Sequence, residues 1–594
     1  MVNFAALSRQ RIFIFGISIV IAVFVIRLFQ LQIINYDENV ERSSGNSIKA
    51  IEQIPLRGVF YDRNMELLAQ NSPTYSIRIT PSEYDTSDNS ILEAALDLDR
   101  GTIKNILKKN RIYSRHIPIR IKRGVDIEAI SWIEENFENL NGVDYIIEMQ
   151  RTYPGGVNGA HLFGFSKEIT PSQLKKDSFY VPGDLTGYTG IEKTYEKVLR
   201  GIKGYTYILV DSKRREVGRY KEGKNDVTSV KGKDLVLGID AKIQKIAETE
   251  LAGKSGAVVA VEPETGEILA LASAPSYDLN MFSYRTPREY LEQLAKDKLK
   301  PQYNRATMSA HPPGSTFKIL CALAALDLGV IDENTTLYCG GGYTFGRFFK
   351  CHGAHGSINV VQAIEKSCNS FFYQLIFKIK LDRLKEYATQ FYLGKKFQSD
   401  FKEEVAGLIP NSRYYEKIYG PDWPRGILVS LGIGQGEIST TPLQLAFFTA
   451  LVANNGKSHL PHIVKGFLDE HKKLHVNNSA PLNINIKEDI FKIVKEGMYL
   501  VVNGAGTASN VRLPNIKVAG KTGTAQNPHG KDHSWFVGFA PFEKPKIAVC
   551  VIVENAGYGA TYAAPIARKM IETYLETDSV KTLPKTTEFT SGRY

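Results

Sequence analysis

Three short motifs in the second half of the chain combine residue types that could carry out acyl transfer. The first motif is Ser315 with Lys318 three residues later. The second is Ser367 and Asn369, which are separated by one residue, and the third is a Lys-Thr-Gly sequence that begins at Lys521. A serine hydroxyl becomes a good nucleophile when a base takes its proton, and a neutral lysine amine can be that base. The motifs therefore predict a serine nucleophile paired with a lysine.

The first motif lies where a helix is expected to begin. Pro312-Pro313-Gly314 precede Ser315, and an apolar pattern follows from Phe317 to Leu326 before Gly329. Residues three apart share a helix face, so the Lys318 amine should reach the Ser315 hydroxyl. Unpaired N–H groups at a helix N-terminus also favour developing negative charge. The alternative, a capping serine beside a solvated lysine, is disfavoured by the order of the three motifs.

The third motif is predicted to lie on a strand beside the cleft. Lys521 could lower the pKa of Lys318 as a cationic neighbour, or hold a substrate carboxylate. Gly523 permits a close approach of backbone to ligand. The N–H groups of Ser315 and Thr524 are the predicted oxyanion hole.

The elements around these motifs predict helices packed on an antiparallel sheet. Ala257–Val261 and Ile268–Ala272 flank a short turn, which indicates a β-hairpin. Trp535–Ala540 and Ile547–Glu554 have the pattern of paired strands, and Ala563–Leu575 that of a closing helix. The preceding segment, 35–235, is mixed in pattern, so the predicted fold class is α+β.

Composition excludes several classes of protein. The chain has 594 residues, 43% hydrophobic and 23% charged, which suits roughly three or more structural units and excludes general disorder. Five cysteines exclude a disulfide-stapled mini-domain. The net charge of +11 is too dilute to indicate a nucleic acid, and we predict no nucleic-acid partner.

The N-terminal segment predicts a membrane anchor. Ile12–Ile26 contains no charged residue, and a helix continued to Ile34 would span about 34 Å. Arg9 and Arg11 precede it, so the positive-inside rule places the N-terminus in the cytoplasm. A cleaved signal peptide is the alternative, but the bulky residues 30–34 offer no small-x-small cleavage site.

The motifs in their contexts resemble one enzyme family, the class B penicillin-binding proteins. The resemblance is carried by Pro312–Lys318, Ser367–Tyr373 and Lys521–Gln526, and by the first-half sequences Arg57-Gly58, Asp62-Arg63, Arg151–Pro154, Ala160-His161, Gly190–Glu192 and Leu199–Gly201. Within the class, the elongation transpeptidases of the penicillin-binding protein 2 group are most similar, through Gly434–Gly436, Thr441–Gln444 and His533–Pro541.

The resemblance implies a D,D-transpeptidase that cross-links peptidoglycan and that β-lactams acylate. Ser315 would attack the D-Ala-D-Ala carbonyl of a stem peptide, Ser367 would relay protons, and Asn369 would orient the peptide. The terminal carboxylate would be bound by Lys521, Thr522 and Thr524. The same motifs with water as acceptor would give a D,D-carboxypeptidase or β-lactam hydrolase, and a division-specific transpeptidase or a non-catalytic β-lactam receptor are further alternatives.

The resemblance also implies the domain order and the partners. The first large domain would be a pedestal that docks a SEDS-family glycosyltransferase and scaffold proteins at the bacterial inner membrane. The bulk of the chain would be extracytoplasmic. The predicted segments are a cytoplasmic tail 1–11, an anchor 12–34, the pedestal 35–235, the transpeptidase domain 236–580 and a tail 581–594.

Five polar residues in the first-half sequences that resemble the family are expected to have a structural role and no catalytic one. We expect them to form ion pairs and hydrogen bonds that hold the pedestal together. They are Arg57, Asp62, Arg63, His161 and Glu192.

Three cysteines and a histidine are candidate ligands for a structural zinc ion. Cys339, Cys351, His355 and Cys368 supply the three thiolates and one imidazole that a tetrahedral site accepts, although the spacing is not that of a zinc finger. A Cys339–Cys351 disulfide and free buried thiols are the alternatives. Some relatives carry zinc beside the cleft, and Cys368 and His355 match its ligands by position, whereas Cys339 and Cys351 replace carboxylates.

The remaining two cysteines, Cys321 and Cys550, lie in apolar segments. We predict that both fill space in the core.

Overall fold

The computed structural model describes residues 4–35, 48–110, 115, 118–154, 156–181, 183–210, 216–283, 286–477 and 479–581. These residues form two compact units. The smaller comprises the described residues within 1–57 and 200–232, and the larger comprises those within 58–199 and 233–594.

The strands are numbered in chain order. They are β1 (Ile48–Gln53), β2 (Phe60–Tyr61), β3 (Leu67–Ile79), β4 (Ile119–Val125), β5 (Val143–Thr152), β6 (Ser166–Glu168), β7 (Leu185–Gly187), β8 (Gly204–Val210), β9 (Glu216–Arg219), β10 (Asp234–Leu237), β11 (Gly256–Val261), β12 (Ile268–Ala274), β13 (Leu337–Phe345), β14 (Arg347–Ile358), β15 (Lys457–His459), β16 (Val464–Leu468), β17 (Leu474–Val476), β18 (Pro481–Asn483), β19 (Ala519–Ala525), β20 (His533–Ala540) and β21 (Ile547–Val553).

The α-helices are numbered in the same way. They are α1 (Phe4–Phe29), α2 (Asn89–Ala95), α3 (Thr102–Lys109), α4 (Ile127–Glu135), α5 (Ala160–Phe163), α6 (Pro171–Leu174), α7 (Gly190–Thr194), α8 (Glu196–Leu199), α9 (Ala241–Glu250), α10 (Arg288–Lys296), α11 (Arg305–Met308), α12 (Lys318–Asp327), α13 (Val360–Glu365), α14 (Asn369–Ile379), α15 (Leu381–Gln390), α16 (Ser412–Tyr419), α17 (Ile427–Leu431), α18 (Pro442–Ala453), α19 (Glu488–Asn503) and α20 (Ala563–Lys581).

The smaller unit contains the apolar N-terminal helix. Helix α1 continues as a π-helical turn, Gln30–Ile34, and among the described residues Arg11–Ile34 is the one helical segment long and apolar enough to cross a membrane, with a mean hydropathy of 2.8. The unit also contains an antiparallel sheet in the order β1-β8-β9.

A seven-stranded sheet in the larger unit joins strands from both predicted domains. Its order is β17-β16-β10-β2-β3-β4, with β5 also paired to β3. The predicted boundary at residue 235 falls within β10, which pairs in parallel with β2 and antiparallel with β16. Apolar side chains of α2, α3 and α4 form a small core with residues of β3 and β4, such as Leu92, Ile103 and Ile133 against Ile77 and Ile121.

The main core surrounds a five-stranded antiparallel sheet in the order β12-β11-β21-β20-β19. The β11–β12 hairpin, the β20–β21 pair and the closing helix α20 confirm the corresponding predictions. Every residue of α18 is buried, and this helix packs on the sheet after a start capped by Thr441 and Gln444. Strand β19, which carries the Lys-Thr-Gly motif, lies at one edge.

Candidate active site

The first motif combines an accessible hydroxyl with a buried amine. Ser315 lies in a 3₁₀ turn, Gly314–Phe317, that leads directly into α12, and its side chain is half-buried. Lys318 begins α12 and is fully buried. Burial lowers the pKa of Lys318 to about 8, because a charged amine loses its hydration there. A neutral fraction of about a tenth is therefore present at pH 7.

The second motif is gathered around the Lys318 amine. Nζ of Lys318 donates to the carbonyl oxygen of Ser367 at 2.8 Å and to Oδ1 of Asn369 at 2.6 Å, and it lies 3.3 Å from Oγ of Ser367. Ser367 has a φ of 52°, an uncommon backbone conformation for a non-glycine residue. Within the described residues, the hydrogen bonds of Lys318 thus go to the second motif rather than to the Ser315 hydroxyl.

The third motif places a second buried lysine on β19. Lys521 is fully buried, and its Nζ lies 3.3 Å from the carbonyl oxygen of Thr522. Burial, followed by the charge of Lys318, lowers the pKa of Lys521 well below its usual range. For Lys318 itself, burial rather than a cationic neighbour is the main cause of the lowered pKa.

Two glycines bring the first and third motifs into backbone contact. Gly314 has a φ of 56°, and a Cβ there would lie 2.7 Å from the carbonyl oxygen of Thr524. A Cβ on Gly523 would lie 2.9 Å from the carbonyl oxygen of Pro313. The turn that carries Ser315 therefore packs directly on the strand that carries Lys521.

Two residues that the sequence analysis did not assign to the site also contact the third motif. Oγ1 of Thr507 lies 2.5 Å from Oγ1 of Thr522, and Gln435 bonds the backbone of β19 beyond Gly523. Both stand in glycine-containing sequences, Gly504–Ala508 and Gly434–Gly436, and that composition is the local signal that could have drawn attention to them.

A charged cluster supports the segment that precedes Ser315. Glu554 accepts from Arg305 at 3.0 Å, from Ser309 at 3.0 Å and from His311 at 3.1 Å. Burial alone would raise the pKa of Glu554, but hydrogen bonds from His311 and Ser255, with the charge and hydrogen bond of Arg305, hold it well below its usual range. Ser309 and Glu554 both contact Nε2 of His311, whereas a proton relay needs both ring nitrogens, so the cluster is structural.

The Cys/His cluster adjoins the second motif and fits a tetrahedral metal site. Its four ligand atoms lie within 4.8 Å of one another, and the five cysteines are free thiols. Sγ of Cys351 lies 3.9 Å from Sγ of Cys368 and 3.7 Å from Nδ1 of His355, which is 3.5 Å from Sγ of Cys339. Tetrahedral zinc with bonds of ~2.3 Å to sulfur separates its ligands by about 3.8 Å, so the set matches.

Four of the five polar pedestal residues form structural contacts, and those of Arg63 and His161 reach residues of the predicted transpeptidase domain rather than of the pedestal. Nε of Arg151 donates to Glu192 at 2.7 Å with both side chains buried. Asp62 accepts backbone N–H groups of Asn64 and Glu66, and His161 bonds the carbonyl oxygen of Pro301.

Arg63 pairs with the second segment of the larger unit, through Glu262 at 3.2 Å and Glu267 at 3.6 Å.

Burial lowers the pKa of His161 to about 4, so this ring is neutral near pH 7. Arg57 lies in the smaller unit.

This fold and these motifs define a serine-dependent acyl-transfer enzyme, and comparison with known proteins gives the same class. Residues 256–572 match the family model of the penicillin binding protein transpeptidase domain, and residues 52–237 match that of the penicillin-binding protein dimerisation domain. The chain therefore belongs to the class B penicillin-binding protein 2 family of peptidoglycan D,D-transpeptidases.

Similar proteins cover nearly the whole chain. The peptidoglycan D,D-transpeptidase MrdA of Haemophilus influenzae is 33% identical over 96% of this chain and 91% of its own length. The MrdA protein of Acinetobacter baumannii is 34% identical over 96% of this chain and 88% of its own length.

Solved structures agree with this assignment. Penicillin-binding protein 2 of Helicobacter pylori, in complex with MreC, matches with a TM-score of 0.81 and 28% identity, over 90% of this chain and 100% of the other. The Pseudomonas aeruginosa protein, in complex with WCK 5153, matches with a TM-score of 0.69 and 30% identity, over 89% and 97%. A peptidoglycan synthase complex matches with a TM-score of 0.72 and 27% identity, over 95% and 98%.

Proposed function

We propose that Ser315 is the nucleophile with which this enzyme cross-links peptidoglycan stem peptides during cell-wall elongation. The observation that carries the proposal is the fully buried Lys318 amine, held by Ser367 and Asn369, one turn from the half-buried Ser315. An accessible hydroxyl beside an amine whose pKa is lowered by burial is what nucleophilic acyl transfer requires.

The proposed reaction has two acyl-transfer steps. Neutral Lys318 takes the proton of Ser315 as its Oγ attacks the carbonyl between the two terminal D-Ala residues. The N–H groups of Ser315 and Thr524 stabilise the oxyanion, and Ser367 passes a proton to the leaving D-Ala amine. The amine of a neighbouring strand then attacks the ester and gives up a proton, which returns through Lys318 to Oγ of Ser315 as the ester bond breaks.

The third motif would bind the end of the donor peptide. Lys521, Thr522 and Thr524 supply an amine and two hydroxyls on β19, and Gly523 lets the turn that carries Ser315 pack against this strand. A β-lactam carries an equivalent carboxylate next to a strained amide. We infer that β-lactams acylate Ser315 as mimics of the stem peptide.

Labelling with a fluorescent penicillin tests the nucleophile. We expect one covalent adduct, mapped by mass spectrometry to the peptide that contains Ser315, and no adduct in Ser315→Ala. The matched control is Ser172→Ala, since Ser172 precedes Lys175 at the same Ser-x-x-Lys spacing on exposed helix α6 and should label normally. An adduct elsewhere would refute the assignment, and rapid antibiotic turnover would favour a hydrolase.

The apolar helix is proposed as a single-pass anchor in the bacterial inner membrane. Arg9 and Arg11 support a cytoplasmic N-terminus and an extracytoplasmic bulk. The two matched family models support a pedestal near 35–235 and a catalytic domain near 236–580. Protease added outside spheroplasts should digest the C-terminal half and spare a tag fused before residue 1.

The partners proposed for the pedestal are a MreC-like scaffold protein and a SEDS-family glycosyltransferase. Two similar structures, a complex of penicillin-binding protein 2 with MreC and a peptidoglycan synthase complex, support this proposal. Both proteins should co-purify with the wild-type protein. A variant that lacks 58–199 should no longer co-purify with them.

The Cys/His cluster is proposed as a zinc site that anchors the second motif. The backbone N–H of Asn369 donates to Sγ of Cys351 at 3.2 Å, so a ligand of the ion would hold the residue that contacts Lys318. Zinc would hold the four side chains together and would take no part in acyl transfer. Purified protein should contain one zinc ion, lost in Cys368→Ala and kept in Cys550→Ala, where the buried thiol lies on β21. Zinc retained by the first variant would remove Cys368 from the ligands.

A further inference from the structure

A three-residue loop, Gly434–Gly436, bonds both sides of the cleft. The backbone N–H of Gly314, one residue before Ser315, donates to the carbonyl oxygen of Gly434 at 2.9 Å. The side-chain amide of Gln435 donates to the carbonyl oxygen of Thr524 at 2.9 Å, and its Oε1 accepts from the backbone N–H of Gln526 at 3.3 Å. One short loop therefore bonds both the turn that carries Ser315 and strand β19.

The side chain of Gln435 occupies the place of a neighbouring strand. Strand β19 is an edge strand whose other side pairs with β20. Along a β-strand, the N–H and C=O of one residue point to the same side. Because Gln435 takes the carbonyl of Thr524 on the unpaired side, the N–H of Thr524 also points to that side, towards the turn that carries Ser315.

The fit between loop and turn leaves no room for adjustment. Gly434 has a φ of 70°, and a Cβ there would lie 2.4 Å from the carbonyl oxygen of Gly314. Gln435 itself is 8% exposed. A buried amide that both donates and accepts at fixed backbone positions sets the orientation of the peptide groups it bonds.

We propose that Gln435 is a positioning residue for acyl transfer, which orients the N–H of Thr524 towards the oxyanion that forms on the substrate of Ser315. This inference rests on the proposed function of Ser315 and Thr524 and deepens it. Gln435 acts through the strand backbone and does not itself touch the reacting atoms. Its loss should slow formation of the tetrahedral intermediate more than it weakens initial binding of the ligand.

The test uses Gln435→Met in the full-length protein, with the acylation rate constant and the initial dissociation constant for a fluorescent penicillin measured separately. Removal of one oxyanion donor costs ~10²- to 10³-fold, so misorientation of one should slow acylation roughly 10- to 100-fold with the dissociation constant within about twofold. Gln435→Glu, which keeps the acceptor for Gln526 and adds charge beside the carbonyl of Thr524, should be slower still.

The opposite edge of the same sheet offers a matched control. Gln244 is buried against edge strand β12, where its amide donates to the carbonyl of Leu271 at 3.0 Å and accepts its N–H at 2.8 Å. Gln244→Met removes the same kind of contact and should leave the acylation rate of the folded fraction within about twofold of wild type.

The outcomes separate this inference from the proposed function. A folded Gln435→Met or Gln435→Glu protein that is acylated at the wild-type rate would overturn the inference, while the labelling of Ser315 stands. An unchanged rate constant with weakened binding would also overturn it, because Gln435 would then be a binding contact. Absence of labelling in wild type would instead refute the role of Ser315.

Discussion

Nζ of Lys318 lies 2.6 Å from Oδ1 of Asn369, the shortest of its three contacts with the second motif. All three acceptors are uncharged. The buried ion pair of Arg151 and Glu192 shows the contrasting arrangement, in which a carboxylate fixes the charge of its partner. The direct contacts of the Lys318 amine therefore include no carboxylate. Burial lowers its pKa and outweighs the nearby thiol groups of Cys368 and Cys351, which raise it.

The acylation rate should rise with pH. Burial lowers the pKa of Lys318 to about 8, so the neutral amine is present above that pH and is lost as pH falls through it. About a tenth of the amine is neutral at pH 7, which predicts a rise of roughly tenfold from pH 7 to the plateau. Second-order rate constants for a penicillin between pH 6 and 9.5 test this, and a flat profile would contradict it.

Asn369→Asp should slow acylation at pH 7. A carboxylate in contact with Nζ of Lys318 favours the protonated amine and raises its pKa, so the midpoint of the pH profile should move upward. We expect a loss of about 10- to 100-fold at pH 7, smaller at pH 9. The control is Asn359→Asp at the start of α13, where either side chain caps the helix. An unshifted midpoint would exclude Lys318 as the titrating base.

Gly314→Ala should damage both stability and acylation. Its Cβ would meet the carbonyl oxygen of Thr524 at 2.7 Å in a backbone of φ 56°, at a cost of about 2–4 kcal/mol. Gly329→Ala is the matched control, since that residue has a φ of 65° and open space around it, and should cost only ~1 kcal/mol. Chemical denaturation and penicillin labelling measure the two effects, and equal losses in both variants would refute the steric argument.

Glu192→Gln should destabilise the pedestal without changing the chemistry. It leaves the buried guanidinium of Arg151 without its carboxylate, which costs about 3 kcal/mol. The exposed pair of Lys492 and Asp489 provides the comparison, because Asp489→Asn should leave the free energy of unfolding almost unchanged. Labelling per folded molecule should match wild type in both, and a selective loss of acylation in Glu192→Gln would assign Glu192 a role beyond packing.

Much of this protein could be predicted from local sequence patterns. Three elements have an apolar pattern or turn residues that specify them within their own sequence. They are the apolar helix after Arg11, the hairpin of Ala257–Val261 with Ile268–Ala272, and the closing helix from Ala563. The three motifs were also recognisable, because their chemistry depends on spacings of two or three residues.

The contacts between distant segments were decided by the tertiary structure. Lys318 and Asn369 are 51 residues apart, and Gln435 and Thr524 are 89 apart. The meeting of such residues depends on how the sheet, α12 and the connecting loops pack, and no local pattern records it. Residue type and short spacing thus determined which groups could react, whereas burial and long-range packing decided that Lys318 faces the second motif and that Gln435 bonds the edge of β19.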